Sequence, residues 1–201
     1  MPTAIVIGVL IAYLLGSISS AIIVCYLFDY PDPRTKGSRN PGATNVLRIA
    51  GKKAAFLVLL GDMFKGLIPV LLAKWYGIPP FGLALVAVAA FLGHLYPLYF
   101  RFEGGKGVAT LIGCLFAFNF LLGLAFIVTW LAVALVFRYS ALSSLVATIL
   151  APFYTWYFTN MNYTVAVVLM GVLVVYRHRS NIKNLWNGKE DKIGEKKKKA
   201  G

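Results

Sequence analysis

Three short stretches of this chain combine glycine, amide, hydroxyl and basic side chains, which are the groups that hold phosphate in proteins. They cover residues 37–48, 93–110 and 177–190. The middle stretch lies between long apolar runs, where charges and unpaired backbone groups are costly if those runs span a membrane. This placement indicates a binding or catalytic site for a phosphorylated molecule.

The middle stretch is a candidate phosphate-binding loop. Its residues of interest are His94, Gly104, Gly105, Lys106 and Gly107. Glycines permit positive φ angles and close backbone approach, so successive N–H groups can cradle an anion at the start of the next helix. The loop is not a Walker A motif, because the first glycine and the final Ser or Thr of that motif are missing. The alternative is a glycine-rich turn with one interfacial lysine.

The first stretch supplies hydroxyl and amide groups together with an arginine. These are Ser38, Thr44, Asn45 and Arg48. Arginine suits bidentate contact with phosphate. The alternative is an ordered loop whose basic residues only set membrane topology.

The third stretch begins where the last apolar run ends. His178 is there a candidate proton carrier or phosphate contact, or else a structural interfacial histidine. His94 lies on the same predicted side of the membrane, which favours a shared site. The nearby serines Ser140, Ser143 and Ser144 also fall on that side, as helix caps or as one further hydroxyl of the site.

The composition predicts a polytopic membrane protein. The chain is 59% hydrophobic and 13% charged, with a mean hydropathy of +0.75, whereas soluble domains carry about 25% charged residues. The net charge of +13 is concentrated in the polar stretches, so it reports topology first and anionic partners second. Nucleic acid is excluded as a partner, because no large soluble surface is present. We expect a single membrane domain over 1–195 and a disordered basic tail over 196–201.

The apolar runs predict an all-α bundle. The candidate spans are 4–28, 54–73, 81–99, 108–137, 141–158 and 163–176. The fourth run is long for one span and short for two. A hairpin break near 118–123 places every basic stretch on one side, as the positive-inside rule requires. We therefore predict seven transmembrane helices, with the N-terminus outside and the C-terminus in the cytoplasm.

Two charged residues fall inside the second predicted span. Asp62 and Lys65 are three residues apart on one helix face and should point into the bundle. They are either a structural ion pair or part of a substrate site. The cysteines Cys25 and Cys114 are interpreted as small buried apolar residues.

The chain lacks the sequence motifs that several classes of enzyme require. The chain has no Gly-x-Ser-x-Gly motif and no metal-ligand spacing. Neither histidine begins a His-x4-Asp box, because Tyr99 and Lys183 stand at the aspartate position. Neither a metal nor a cofactor is predicted.

The three stretches resemble the motifs of the PlsY family of bacterial membrane acyltransferases. The first matches Gly-Ser-x-Asn-x-Gly-Ala-Thr-Asn-x-x-Arg. The second matches Gly-His-x-x-Pro with Phe-x-Gly-Gly-Lys-Gly-Val-Ala-Thr, and the third Arg-His-x-x-Asn-Ile with a later Gly-x-Glu. Order and spacing agree from about residue 5 to 193. Arg39 departs from the pattern, because many members have glycine there.

The resemblance implies an activity. Such enzymes transfer a fatty acyl group from acyl-phosphate to the 1-position of sn-glycerol 3-phosphate, giving lysophosphatidic acid and inorganic phosphate. It implies a multi-pass protein of the bacterial inner membrane with a cytoplasmic active site. Its partners would be the two substrates and membrane lipids, with no obligate protein partner.

Roles for the candidate residues follow as hypotheses from this resemblance. Lys106 and Arg48 hold the phosphates, and Ser38, Asn45 and Asn181 orient the substrates. Thr44, Gly104, Gly105, Gly107, His94 and Ser143 complete the predicted binding set. The base is either His178 or a substrate phosphate. A transporter for a phosphorylated or lipid solute and a structural membrane subunit are the competing functions.

Overall fold

Residues 1–194 are described by the structure, a computed structural model, and in this range the regular elements are all helical. The tail predicted over 196–201 lies outside the described residues. The helices are α1 Pro2–Gly16, α2 Ser20–Leu27, α3 Ala43–Ala50, α4 Lys52–Trp75, α5 Pro80–Leu95, α6 Val108–Phe118, α7 Phe120–Phe137, α8 Ser140–Phe158, α9 Met161–Arg177 and α10 Arg179–Trp186, with a 3-10 turn at Leu98–Phe100. The all-α prediction is confirmed.

Within residues 1–194, five segments are long and apolar enough to cross a membrane, and a sixth is formed if α9 and α10, which meet at 57°, count as one span. Helix α6 has 11 residues. At about 1.5 Å per residue it is shorter than the roughly 30 Å hydrocarbon core. The protein is therefore an all-helical membrane protein with five or six candidate spans, and the count of seven stays a prediction.

The break predicted near 118–123 is confirmed. Helix α6 ends at Phe118 and α7 begins at Phe120. The side chain of Asn119 accepts a hydrogen bond of 2.8 Å from the N–H of Leu121. Asparagine is a preferred N-cap because its side-chain oxygen satisfies an N–H that the helix leaves free.

The first span is not one continuous helix, contrary to the pattern over 4–28. It breaks between α1 and α2, where the hydroxyl of Ser17 donates to the carbonyl of Tyr13 at 2.8 Å. The break leaves the Ile18 carbonyl without a helical partner, and Lys65 donates to it at 2.8 Å. Backbone groups in a membrane must be satisfied internally, so Lys65 stabilises the broken helix.

Two helix pairs pack at backbone distance. A Cβ added to Gly113 of α6 would lie 2.0 Å from the carbonyl oxygen of Met63 in α4. One added to Gly16 of α1 would lie 2.1 Å from the carbonyl oxygen of Ala90 in α5. Small residues allow this close packing, which holds helices together in lipid.

Helix α6 is short because it begins deep in the bundle. It runs in the same direction as α4: Thr110 donates to the carbonyl of Asp62 at 2.9 Å, and Lys74 lies 3.4 Å from the carbonyl of Ala117. Asp62 is already ten residues into α4, which corresponds to about 15 Å. The glycine-rich loop before α6 therefore faces the middle of α4.

Candidate active site

A cavity of about 440 Å³ opens between helices α3, α4, α6, α7 and α8. Its lining combines charged and polar side chains with apolar ones. The apolar side of the set is Leu59, Leu60, Met63, Ile112, Ile127, Trp130 and Leu131. A cavity with both kinds of lining can hold a molecule that has a charged head and a hydrocarbon chain.

Most of the predicted site residues meet in this cavity. Those that line it are Ser38, Thr44, Asn45, Arg48, His94, Lys106, Gly107, His178 and Asn181. Gly104, Gly105 and Ser143 are not among the lining residues. The hydroxyl of Ser143 donates to the carbonyl of Tyr139 at 2.8 Å, and Ser140 and Ser144 line the cavity in its place.

Asn45 organises the loop that precedes α3. Its Nδ2 donates to the carbonyls of Pro33 at 2.9 Å and Lys36 at 3.1 Å, and its Oδ1 accepts from the N–H of Ser38 at 2.8 Å. Both ends of the amide are thereby used within the protein. Asn45 thus positions Ser38, and Arg48 one turn further along the helix, at the cavity wall.

Arg48 and Thr44 lie on α3 and face neighbouring segments. The Arg48 guanidinium is 3.6 Å from the carboxylate of Asp191, and both side chains are about one-third exposed. The hydroxyl of Thr44 is 3.2 Å from that of Ser140 at the start of α8. The arginine therefore has a counter-ion and remains accessible from the cavity.

The glycines of the middle stretch allow the loop to lie directly against α5. A Cβ on Gly104 would lie 2.1 Å from the carbonyl oxygen of His94, and one on Gly105 would lie 2.3 Å from Nε2 of the same residue. Gly107 has φ +91° and caps α6. Gly104 and Gly105 are consequently needed for packing, although they do not line the cavity.

Lys106 lines the cavity and is held by a chain of hydrogen-bonded side chains. Its ammonium donates a close hydrogen bond to Oδ1 of Asn181, whose Nδ2 donates to Glu190 at 2.7 Å. Burial lowers the pKa of Lys106 to about 8, and the charges of Arg48 and Arg177 act in the same direction against that of Glu190. A phosphate that binds here is expected to restore the full positive charge, because an opposite charge favours the protonated form.

His178 is buried at the junction of α9 and α10. Its Nδ1 lies 2.8 Å from the carbonyl oxygen of Val174. A carbonyl only accepts hydrogen bonds, so Nδ1 carries the hydrogen and the Nε2 of the neutral ring has a lone pair. Burial and the charge of Lys106 lower the pKa of His178 to about 4, so the ring is neutral at pH 7. The residue lines the cavity, where Nε2 can accept a hydrogen bond from a substrate hydroxyl.

Asp62 and His94 form a second buried cluster at the cavity wall. Asp62 pairs with Lys65 at 2.9 Å and lies 3.6 Å from Nδ1 of His94. The expected ion pair is therefore present, and it also borders the site, because Asp62 and His94 line the cavity. The pair joins α4 to the broken first span through Lys65.

We predict that removing one charge of the Asp62–Lys65 pair destabilises the protein more than removing both charges. Asp62→Asn leaves the Lys65 charge buried without its partner, which costs about 3–5 kcal/mol and lowers Tm by about 10 °C. Thermal unfolding in detergent measures the effect. The double variant Asp62→Asn/Lys65→Met should recover part of the loss, because no unpaired charge remains, although the Ile18 carbonyl loses its donor.

Asp29→Asn is the matched control. Asp29 is exposed and has φ 55°, a conformation that asparagine tolerates well. Its Tm should stay near that of the unaltered protein. A double variant as unstable as the worse single variant would contradict the ion-pair explanation.

Gly107 and Gly51 offer a second matched comparison. Both have positive φ, +91° and +87°, but an added Cβ meets Phe91 at 2.2 Å only at Gly107. Both alanine variants should lose about 1–2 kcal/mol from backbone strain. Only Gly107→Ala should also displace the loop and lower kcat/KM by about tenfold or more. Equal activities of the two folded variants would contradict this assignment.

Two residues that contact the site were not predicted from the sequence. Arg177 donates to the carbonyls of Gly104 at 2.6 Å and Gly105 at 3.1 Å, and the sequence pattern placed it in the third polar stretch without a role. Trp130 lines the cavity and donates from Nε1 to Ser144 at 3.0 Å. A tryptophan within an apolar run needs a partner for its N–H, and that requirement was the available signal.

Over residues 1–194, no group of three or more His, Cys, Asp or Glu side chains is arranged to hold a metal ion. The residues that line the cavity supply ammonium, guanidinium, imidazole, carboxylate, amide and hydroxyl groups.

Comparison with known proteins identifies the family. Residues 6–188 match the family model of glycerol-3-phosphate acyltransferase. The glycerol-3-phosphate acyltransferase of Burkholderia multivorans is 53% identical, covering 98% of this chain and 94% of its own length. That of Vibrio cholerae is also 53% identical, with 95% and 91% covered.

Two solved structures of PlsY, an integral membrane glycerol 3-phosphate acyltransferase, share the fold. The glycerol 3-phosphate form has a TM-score of 0.90 and 41% identity, covering 94% of this chain and 96% of its own. The lysophosphatidic acid form has a TM-score of 0.88 and 40% identity, covering 94% and 95%. The chain therefore belongs to the PlsY family of integral membrane glycerol-3-phosphate acyltransferases.

Proposed function

We propose that the protein transfers a fatty acyl group from acyl-phosphate to the 1-hydroxyl of sn-glycerol 3-phosphate. The products are lysophosphatidic acid and inorganic phosphate, and the reaction begins phospholipid synthesis. One observation carries this proposal. One cavity is lined both by Lys106, Arg48 and His178 and by a set of apolar side chains that includes a tryptophan.

The polar and apolar lining residues suit the two parts of the substrates. Both substrates carry phosphate, and Lys106 and Arg48 supply charged donors for it, Arg48 with bidentate geometry. Leu59 of α4 and Leu131 of α7 line the cavity and are exposed. We propose that a fatty chain lies along these two helices. The lysophosphatidic acid form of the related PlsY structure is consistent with a product of this shape.

The reaction needs no protein nucleophile. The glycerol 3-phosphate hydroxyl forms a C–O bond to the acyl carbonyl carbon, and the bond to the phosphate oxygen breaks with its electron pair leaving on phosphate. Acyl-phosphate is already activated, so positioning and charge stabilisation lower the barrier. His178 Nε2 accepts the hydroxyl proton in our preferred mechanism, and a substrate phosphate is the alternative acceptor.

The membrane arrangement is part of the proposal. We infer seven membrane-embedded helices, counting the short α6, with the N-terminus outside and the site open to the cytoplasm of a bacterial inner membrane. The distribution of basic residues supports it, since Lys74 is the single basic residue of the predicted outer connections in the sequence. Residues 1–195 would form one membrane domain, which needs no protein partner.

A direct assay tests the activity. Purified protein is incubated with palmitoyl-phosphate and labelled glycerol 3-phosphate, without CoA, and extracted lipid is analysed. Labelled lysophosphatidic acid is the expected result. A parallel reaction with palmitoyl-CoA should give none, and product from palmitoyl-CoA alone would overturn the choice of donor.

A further inference from the structure

Arg177 lies behind the glycine-rich loop and not in the cavity. It is absent from the lining residues, so the structure gives it no direct access to a substrate. Its Nη2 donates to the carbonyl of Gly104 at 2.6 Å, and its Nε donates to the carbonyl of Gly105 at 3.1 Å. The planar guanidinium thus holds two successive peptide groups.

The loop is fixed from the opposite side by α5. The N–H of Gly105 donates to the carbonyl of His94 at 3.2 Å. The His94 ring lies so close to Gly105 that a Cβ there would be 2.3 Å from Nε2. Two successive carbonyls face Arg177, and the N–H between them faces His94.

The contacts of Arg177 and His94 with the loop determine where the backbone N–H of Lys106 points. In a trans peptide the N–H is opposite to the C=O, so the N–H of Lys106 points away from the guanidinium that holds the Gly105 carbonyl. In residues 1–194 no group accepts a hydrogen bond from this N–H. Lys106 and Gly107 line the cavity, and the N–H is therefore available to an anion there.

We propose that Arg177 is a positioning residue that turns the Lys106 N–H toward a substrate phosphate. The residue acts through the peptide groups of Gly104 and Gly105, while the Lys106 ammonium binds the phosphate directly. The proposal rests on the proposed function, because the anion is taken to be glycerol 3-phosphate or acyl-phosphate.

The guanidinium geometry makes the role specific to arginine. A lysine keeps the charge, but its single ammonium is not a rigid fork and holds two carbonyls less well. Tyr96 supports this arrangement, since its ring centroid lies 5.8 Å from the guanidinium carbon of Arg177. If Arg177 aided substrate binding only through its charge, Arg177→Lys would bind the substrate as well as the unaltered protein does. If Arg177 positions the loop, Arg177→Lys should bind it less well.

The kinetic test compares Arg177→Ala and Arg177→Lys with the control Arg179→Ala. Arg179 is exposed and stacks on Tyr176. Loss of one hydrogen bond to a charged group corresponds to roughly 10- to 100-fold, so Arg177→Ala should raise one substrate's KM by that factor with kcat little changed. Arg177→Lys should show a smaller rise, and Arg179→Ala none. The substrate whose KM rises identifies which phosphate the N–H binds.

Chemical rescue separates positioning from charge. Methylguanidinium should lower the raised KM of Arg177→Ala, and methylammonium should not. Equal rescue by both ions, unchanged KM values in a folded variant, or equal rises of both KM values accompanied by a lowered Tm would overturn the proposal.

A second measurement does not depend on a folded variant of Arg177. Protein labelled with 15N-lysine is titrated with inorganic phosphate in detergent micelles, and the Lys106 amide signal is assigned with Lys106→Arg. The amide proton should move downfield as phosphate binds, and no movement at saturation would overturn the proposal. If the unaltered protein forms no lysophosphatidic acid, the proposed function fails, whereas this titration still reports on the loop.

Discussion

Lys106→Met should lower kcat/KM for glycerol 3-phosphate by about 100- to 1,000-fold, which is the usual effect of removing one donor that stabilises developing charge. Methionine is close to lysine in length, so the cavity wall keeps its shape. The buried ammonium is lost, and with it the donor to Asn181. Initial rates at varied glycerol 3-phosphate, with acyl-phosphate saturating, measure the change.

The pH dependence gives an independent check on the same residue. The pKa of Lys106 is lowered to about 8, so the free protein carries the charge below pH 8 and loses it above. We expect kcat/KM to fall as pH rises through about 8 in the unaltered protein. In Lys106→Arg, which stays protonated, this fall should be absent.

Lys183→Met is the matched control, because Lys183 is an exposed residue of α10. Its kcat/KM should be unchanged. If Lys183→Met were as impaired as Lys106→Met, a diffuse positive field would explain the binding and the specific role of Lys106 would be wrong.

Replacement of His178 is the second change with a large expected effect. His178→Ala should lower kcat by about 100-fold or more at saturating concentrations of both substrates, as expected for loss of a general base. The reason is geometric: Nδ1 donates to Val174 at 2.8 Å, which leaves Nε2 free to accept a proton. Single-turnover rates measured by product formation report the chemical step.

A control for the cavity shape accompanies this variant. His178→Gln retains polar atoms near both ring nitrogens but cannot accept a proton at neutral pH, so it should be as slow as alanine. Turnover equal to that of the unaltered protein in either variant would assign the proton to a substrate phosphate. A raised KM with unchanged kcat would make His178 a binding residue.

The three polar motifs made most of the site predictable. Ser38, Arg48, Lys106 and His178 are far apart in the chain, yet all line one cavity. Their shared location could be predicted from topology, because the positive-inside rule assigns their segments to one side of the membrane. The hairpin break at Asn119 was predictable for the same reason. Two crossings by residues 108–137, and not one, place the basic segments before and after them on the same side of the membrane.

Other features could not be predicted, because they depend on which backbone groups meet. The break between α1 and α2 is stabilised by Lys65 from another helix. Hydropathy depends on local composition and cannot reveal such a contact, so the apolar run over 4–28 predicted a continuous span. The pattern also favoured Ser143, whereas Ser140 and Ser144 line the cavity. The hydroxyls of Ser143 and Ser144 both bond back one turn, so only the helix rotation decides which serine faces the cavity.

The sequence by itself determined the class of protein, the side on which the chemistry is expected and the side chains able to bind phosphate. These depend on composition, charge and motif, all of which are local properties. The tertiary structure decided the depth of the glycine-rich loop and the role of Arg177. Both depend on α6 beginning opposite Asp62 and on α9 bringing a guanidinium to the Gly104 and Gly105 carbonyls. Packing between distant segments sets these positions, and no local pattern encodes them.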